Sequence, residues 1–238
     1  MGPRILREIE IATNSNVPQI PKVFEVETKS IGSNAYTYII EQYIDGNSLA
    51  VEFRKNIFSL EKSINLLESL LQTVVELEKV GVVHRDIKPD NIICARTGEF
   101  YLIDFGIARV LGSTSLTMTE MAIGPHTPGY GAPELFNYSK RDIDSRADLF
   151  SIGVVIYESI FHKHPFITGD EIDVHEILMK TSTVLPQEHH IPEDKDRNLI
   201  GFIQTLMQKH ISKRPPSAER ALEWFYIVKR SLDIDGGK

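Results

Sequence analysis

His84-Arg85-Asp86-Ile87-Lys88-Pro89-Asp90-Asn91 is the stretch on which the reading of this chain turns. A second run, Ile103-Asp104-Phe105-Gly106, begins ten residues after Ile93. A third follows at Thr127-Pro128-Gly129-Tyr130-Gly131-Ala132-Pro133-Glu134. Taken singly these residues say little, because a lone Asp in a loop usually forms a turn and a lone Asn usually caps one. Their order and separation carry the information.

Outward from these runs the chain falls into recognisable pieces. Ile92–Ala95 and Phe100–Ile103 read as a small hairpin around Thr97-Gly98. Upstream, Leu60, Ile64, Leu67, Leu71 and Val74 share one face of a long helix ending before Gly81. Further upstream, Arg4 to Thr13 has helical spacing with Ile5, Ile9 and Ala12 on one stripe, stopped by Pro18 and Pro21. Lys22–Val26 and Tyr36–Ile40 read as strands, and Ile44-Asp45-Gly46-Asn47 as the turn that closes this first part. Downstream, Gly112 to Pro133 is rich in Thr, Ser, Gly and Pro and reads as a long loop of the functional kind. Ser145 opens a helix with Phe150, Val154, Tyr157 and Phe161 at helical spacing. Three more helical patterns lie near Glu171–Lys180, Lys195–Gln208 and Ala218–Ser231. No internal repeat or low-complexity segment occurs.

Composition narrows the class. The 238 residues are 42% hydrophobic and 25% charged, which suits a globular protein and excludes a disordered chain. A net charge of −7 argues against general nucleic-acid binding, which needs clustered Lys and Arg. The one cysteine, Cys94, permits no internal disulfide and fits a reducing compartment. No apolar run approaches the roughly 18 residues that span a bilayer, so no membrane association is expected. The longest, Leu149 to Tyr157, fits a buried helix. Met1 to Glu10 carries no export signal, and Pro3 and Leu6 argue against myristoylation at Gly2. A cytoplasmic location is expected. His162, His164, His189 and His190 lack a structural ligand spacing with cysteines, which weighs against a histidine metal site.

The three runs together resemble the signature set of protein kinases: the catalytic loop, the magnesium-binding Asp-Phe-Gly and the Ala-Pro-Glu that closes the activation segment. The resemblance extends from about Arg4 to Val228 and is to bacterial-type serine/threonine kinases. It implies an α+β fold: a reduced N-lobe and hinge over residues 1–45, with one helix and two strands, and a complete, mainly helical C-lobe over 46–238. It also implies ATP and Mg2+ as cofactors and a protein substrate bearing Ser or Thr. Phosphoryl transfer asks for positioning and charge neutralisation more than for covalent work. On this resemblance Asp86 accepts the substrate hydroxyl proton and Lys88 offers a point charge to the moving phosphoryl. Lys88, two residues after Asp86, is the serine/threonine form of the loop. Asn91 and Asp104 supply the oxygen ligands that magnesium prefers. Glu41 falls near the gatekeeper, and adenine is expected on the backbone of Gln42, Tyr43 and Ile44. Glu8 falls at the helix C glutamate.

Structural and regulatory parts are implied as well. His84 and Arg85 belong to the catalytic loop, Phe105 and Gly106 to the Asp-Phe-Gly run, and Thr127 to the closing run. Arg85 is placed to receive a phosphate on Thr117 or Thr119. Asp148 reads either as the aspartate that holds the catalytic-loop backbone or as a first-turn acid with Ser145 as N-cap. Arg214 reads as the ion-pair partner of Glu134 or as a solvated Lys-Arg surface pair.

The chain departs from the family at its start. Only seven residues precede Glu8, the first lysine is Lys22, and the one Gly-x-Gly, Gly129 to Gly131, lies in the closing run. No Gly-rich loop and no strand 3 lysine are found. The expectations left standing are a shortened kinase, a chain that lost ATP handling and acts as a pseudokinase-like module, or one completed by a neighbouring polypeptide. A small-molecule kinase of the aminoglycoside type is disfavoured by Lys88 and the Ala-Pro-Glu run. The lone strand pair invites self-association or pairing with a partner chain.

Overall fold

The apolar stripe of Leu60, Ile64, Leu67, Leu71 and Val74 produces the helix that the rest of the fold is hung on, α2 (Leu60–Lys79). Ser59 caps it, its Oγ accepting from the Lys62 amide at 3.1 Å. Gly81, at φ 71°, lets the chain turn away. The computed structural model describes residues 17, 19–32, 34–55, 58–104, 127–136 and 143–232. The helix expected over Arg4–Thr13, with Glu8, lies outside the described residues, as do Phe105, Gly106, Thr117, Thr119 and the stretch 112–126.

Within the described residues α1 (Leu49–Lys55) precedes α2, and α3 (Ser145–Phe161), α4 (Val174–Thr183), α5 (Asn198–Leu206) and α6 (Ala218–Ser231) follow. Every residue of α3 from Leu149 to Tyr157 is buried. This apolar rod packs on α2 and α5, and α6 closes over α2 and α5. The N-cap of α3 is Asp144 rather than the expected Ser145. Asp144 is extended, and its Oδ1 accepts from the Arg146 amide at 3.0 Å. Ser145 is already helical and donates its hydroxyl to Glu78 on α2. The helices expected near Glu171–Lys180 and Lys195–Gln208 begin three residues later. Asp173 caps α4 with its carboxylate, and Asp194 receives the Ile200 amide of α5 at 2.9 Å.

The strands form two sheets. β1 (Val23–Ile31) and β2 (Asn34–Glu41) make one antiparallel hairpin, longer than the two short runs expected. Glu27, Thr28 and Lys29 hide the second half of β1 from an alternation reading, because the ribbon is solvated on both faces. The second sheet orders β3 (Gly46–Ser48), β4 (Ile92–Ala95) and β5 (Phe100–Leu102). β3 corrects the expected turn at Ile44–Asn47, for Gly46 pairs with Ala95. A Cβ at Gly46 would lie 2.2 Å from the Cys94 carbonyl oxygen, so only glycine lets the two strands close. The β4–β5 hairpin turns at Gly98 (φ 93°), as expected.

The architecture is thus the expected α+β one, a strand hairpin followed by a larger helical part. Apart from Val17, Ile20 and Pro21, all buried apolar side chains among the described residues come from Leu49 onward.

Candidate active site

The loop between α2 and β4 has too few regular hydrogen bonds to hold itself, and Asp148 of α3 holds it from below. Its Oδ2 accepts from the His84 amide and its Oδ1 from the Arg85 amide, both at 2.8 Å. Asp148 is wholly enclosed, and burial pushes its carboxyl up to about 6 against the pull of those two amides. Arg85 is left-handed, at φ 70°, a conformation that costs energy in a non-glycine residue and persists only where its surroundings impose it. His84 is buried beside it. Its Nδ1 accepts from the Asp86 amide at 3.3 Å, so the ring proton is on Nε2, 3.1 Å from the Ile103 carbonyl. Burial lowers this imidazole to about 4.

Held this way, Asp86 gathers donors from Thr127, Asn91 and Lys88. Thr127 gives Oδ1 its amide at 3.1 Å and its hydroxyl at 2.9 Å. Oδ2 takes the Asn91 Nδ2 at 3.0 Å and stands 3.2 Å from the Lys88 ammonium. Lys88 also donates to the Thr127 Oγ1 at 2.7 Å. Asn91 spends its amide nitrogen twice on Asp86, on the carboxylate and on the main-chain oxygen at 2.9 Å. Its amide oxygen is the group it can offer a cation. A 3-10 turn over Pro89–Asn91 delivers Asn91 to this place, and its main-chain oxygen takes the Ile103 amide at 2.9 Å.

Asp104 follows β5 and is also left-handed, at φ 62°, with its side chain exposed. Glu41, at the end of β2, feels it. Partial burial and the Asp104 charge both push the Glu41 carboxyl up. Gln42, next along, spends its amide on the Lys22 carbonyl at 2.7 Å. Of the four residues expected at the hinge, Glu41 and Tyr43 are exposed and Gln42 and Ile44 half-buried.

Glu134 and Arg214 meet in a two-pronged ion pair, at 2.6 and 2.8 Å. Arg214 also donates to the main-chain oxygens of Gln208 and Arg146, and its guanidinium lies over the Phe150 ring. It is 4% exposed, so the solvated-surface alternative does not hold. Both alternatives for Asp148 meet in part: it sits in the first turn of α3 and accepts the loop amides, but its cap is Asp144.

Two features escaped the sequence. Tyr130 donates to Glu158 of α3 at 2.6 Å, at the wall of a cavity of about 320 Å³ beside Pro89 and Asp90. The local signal for Glu158 is an acid placed directly after the apolar run Leu149–Tyr157 of a buried helix. The second feature is the seat of His164 under Gly129. It joins segments 35 residues apart and left no local signal.

The hairpin, the small sheet, the helical part and this loop define a protein-kinase-like fold with a small N-lobe and a helical C-lobe. The protein kinase domain family matches residues 2–227, and the chain belongs to that family. It is 33% identical over 172 residues to a probable serine/threonine-protein kinase of Streptomyces coelicolor, covering 72% of this chain and 25% of that protein. It is 30% identical to the serine/threonine-protein kinase PknB of Mycobacterium leprae, over 92% of this chain and 38% of the relative. It is 29% identical to the serine/threonine-protein kinase cds1 of Schizosaccharomyces pombe, over 93% and 48%. The chain therefore spans a quarter to about half the length of these relatives. Among the described residues no helix is long and apolar enough to cross a membrane.

Proposed function

We propose that this chain is the transferase part of a serine/threonine protein kinase, moving the γ-phosphoryl of ATP to protein hydroxyls in the cytoplasm. One observation carries the reading. Asp86, Lys88, Asn91 and Thr127 form a single hydrogen-bonded cluster braced by Asp148.

In this reading Asp86 orients the substrate hydroxyl and takes its proton as the oxygen bonds to phosphorus, while ADP carries away the electrons of the broken bond. Lys88 keeps positive charge beside the oxygens in transit. Thr127 tethers the closing run to both. Asn91 and Asp104 would hold Mg2+, and Glu41 adds charge nearby. The ion, when bound, supplies neutralisation of the phosphate oxygens. Adenine would meet the Gln42 carbonyl and the backbone of Tyr43 and Ile44, since the Gln42 amide is already spent on Lys22. Arg85 would dock a phosphate on Thr117 or Thr119, and Glu8 would fill the helix C role. Phe105 and Gly106 would complete the Asp-Phe-Gly run.

A second reading rests on the sequence: these 238 residues contain no Gly-rich loop and no lysine before Lys22. A polypeptide of these residues alone would then grip ATP weakly and act as a binding or regulatory module, pairing with itself or a partner through the hairpin. Incubation with labelled Mg-ATP and a generic protein substrate, followed by phosphoamino-acid analysis, separates the two. Label on Ser or Thr supports the kinase. Weak or undetectable Mg-ATP binding by calorimetry, without any transfer, supports the module.

A further inference from the structure

His164 lies in the loop after α3, away from the substrate-facing cluster, yet it touches the turn that reaches that cluster. Its Nδ1 accepts from two amides, Phe166 and Ile167, each at 3.0 Å. A nitrogen accepting two hydrogen bonds carries no proton, so the proton is on Nε2. That Nε2 is shut off from water and has no hydrogen-bond partner among the described residues. Burying a donor without an acceptor is unfavourable, so the packing around the ring must impose its position. Burial also lowers the imidazole to about 4, so the ring is neutral.

What the ring supports is Gly129. A Cβ on Gly129 would come within 3.0 Å of His164 Cε1, 3.1 Å of Nε2 and 2.6 Å of Ile167 Cδ1. Gly129 is at φ 91°, so its main chain rests directly on the imidazole and on a residue whose amide the same imidazole fixes. Tyr130 meets the ring edge-on, with centroids 4.8 Å apart. The turn is short and stiff. The Tyr130 and Gly131 amides both donate to the Thr127 carbonyl, at 3.2 and 3.1 Å, and Ser151 of α3 donates to the Tyr130 carbonyl at 2.9 Å. A shift of Gly129 therefore moves Thr127, whose amide and hydroxyl both end on Asp86 Oδ1.

We propose that His164 is a positioning residue that sets the Thr127–Gly131 turn, and through Thr127 the placement of Asp86 and Lys88. The proposal rests on the kinase reading for its kinetic consequence but not for its structural one, and the test separates them. His164→Asn keeps an acceptor for the two amides and removes the ring edge under Gly129. His164→Phe keeps a ring and removes the acceptor. By NMR hydrogen exchange, the Thr127 amide in His164→Asn should exchange about three- to tenfold faster than in the unaltered chain, with α5 amides unchanged. In transfer assays kcat should fall by a similar factor with the ATP KM unchanged, and His164→Asn in a Thr127→Ala background should cause no further fall. His164→Phe, which frees the two amides, should lose thermal stability as well. An unchanged Thr127 amide rate in a folded His164→Asn protein overturns the proposal, whether or not the protein transfers phosphate. So does a His164→Asn effect that multiplies fully with Thr127→Ala.

Discussion

Phe24 on β1 and Phe150 on α3 are the same residue, yet one is 66% exposed and the other fully enclosed. The difference runs through the whole molecule. Phe24, Tyr36, Ile40 and Tyr43 of the hairpin region stand largely in solvent, and no described side chain of β1 or β2 is buried. That ribbon is held by its ladder and by polar surface contacts such as Tyr38 on Glu25. The helical part instead encloses a continuous apolar core and uses it to seat a few buried polar groups, Asp148, His84 and Arg214 among them. A two-stranded ribbon is marginal by itself, whereas a filled core fixes positions to within a rotamer. The residues that need fixed geometry sit on the core side.

The largest break in this comparison is expected at Asp86. Replacing it with Asn should lower the transfer rate by about 10²–10⁴ while circular dichroism and the melting midpoint stay near those of the unaltered chain. Transfer that persists undiminished would remove Asp86 from the proposed role. Next comes the phenylalanine pair. Phe150→Ala, which empties a site between Phe166 and Arg214, should cost about 3–5 kcal/mol in urea titration. Phe24→Ala should stay within about 0.5 kcal/mol. Equal losses would mean that the hairpin shares the core after all. Arg214→Lys should cost about 1.5–3 kcal/mol, because a lysine keeps the charge but cannot grip Glu134 with two prongs.

The smallest effect is a matter of pH. His84 falls from 6.5 to about 4 on folding, so its contribution is complete above about 6.5 and is lost as pH falls toward 4. Asp148 rises from 3.8 to about 6, so its contribution is complete below about 3.8 and is lost as pH rises through 6. The two slopes oppose each other between pH 4 and 6. In Asp148→Asn the opposing slope is gone, and the urea midpoint should drop more steeply from pH 6.5 to 4.5 than in the unaltered chain. Parallel slopes would show that burial of these two groups does not govern acid stability.

Much of this was readable beforehand, for local reasons. Asp86, Lys88 and Asn91 lie within one loop, so their spacing alone sets them side by side. The α2 stripe and the unbroken apolar run of α3 identify helices that must be buried. Other elements were not readable. The polar Glu27, Thr28 and Lys29 mask the second half of β1, which is strand because β2 completes its ladder. Gly46 looks like a turn residue and is a strand residue, because Cys94 comes too close for any side chain. Asp144, not Ser145, caps α3, a choice between two good capping residues that the neighbouring Glu78 settles by engaging Ser145.

By itself the sequence determined the family, the kinds of chemical group at the loop, and the helices whose apolar period exceeds a turn or two, since all of these depend on residues near one another in the chain. Only the tertiary structure decided that Asp148 reaches the His84 and Arg85 amides, that Glu134 closes on Arg214 from 80 residues away, and that His164 lies beneath Gly129. Each joins a polar or unbranched group to a partner that the packing of α3 against its neighbours brings within a few ångströms, and no local pattern encodes that distance.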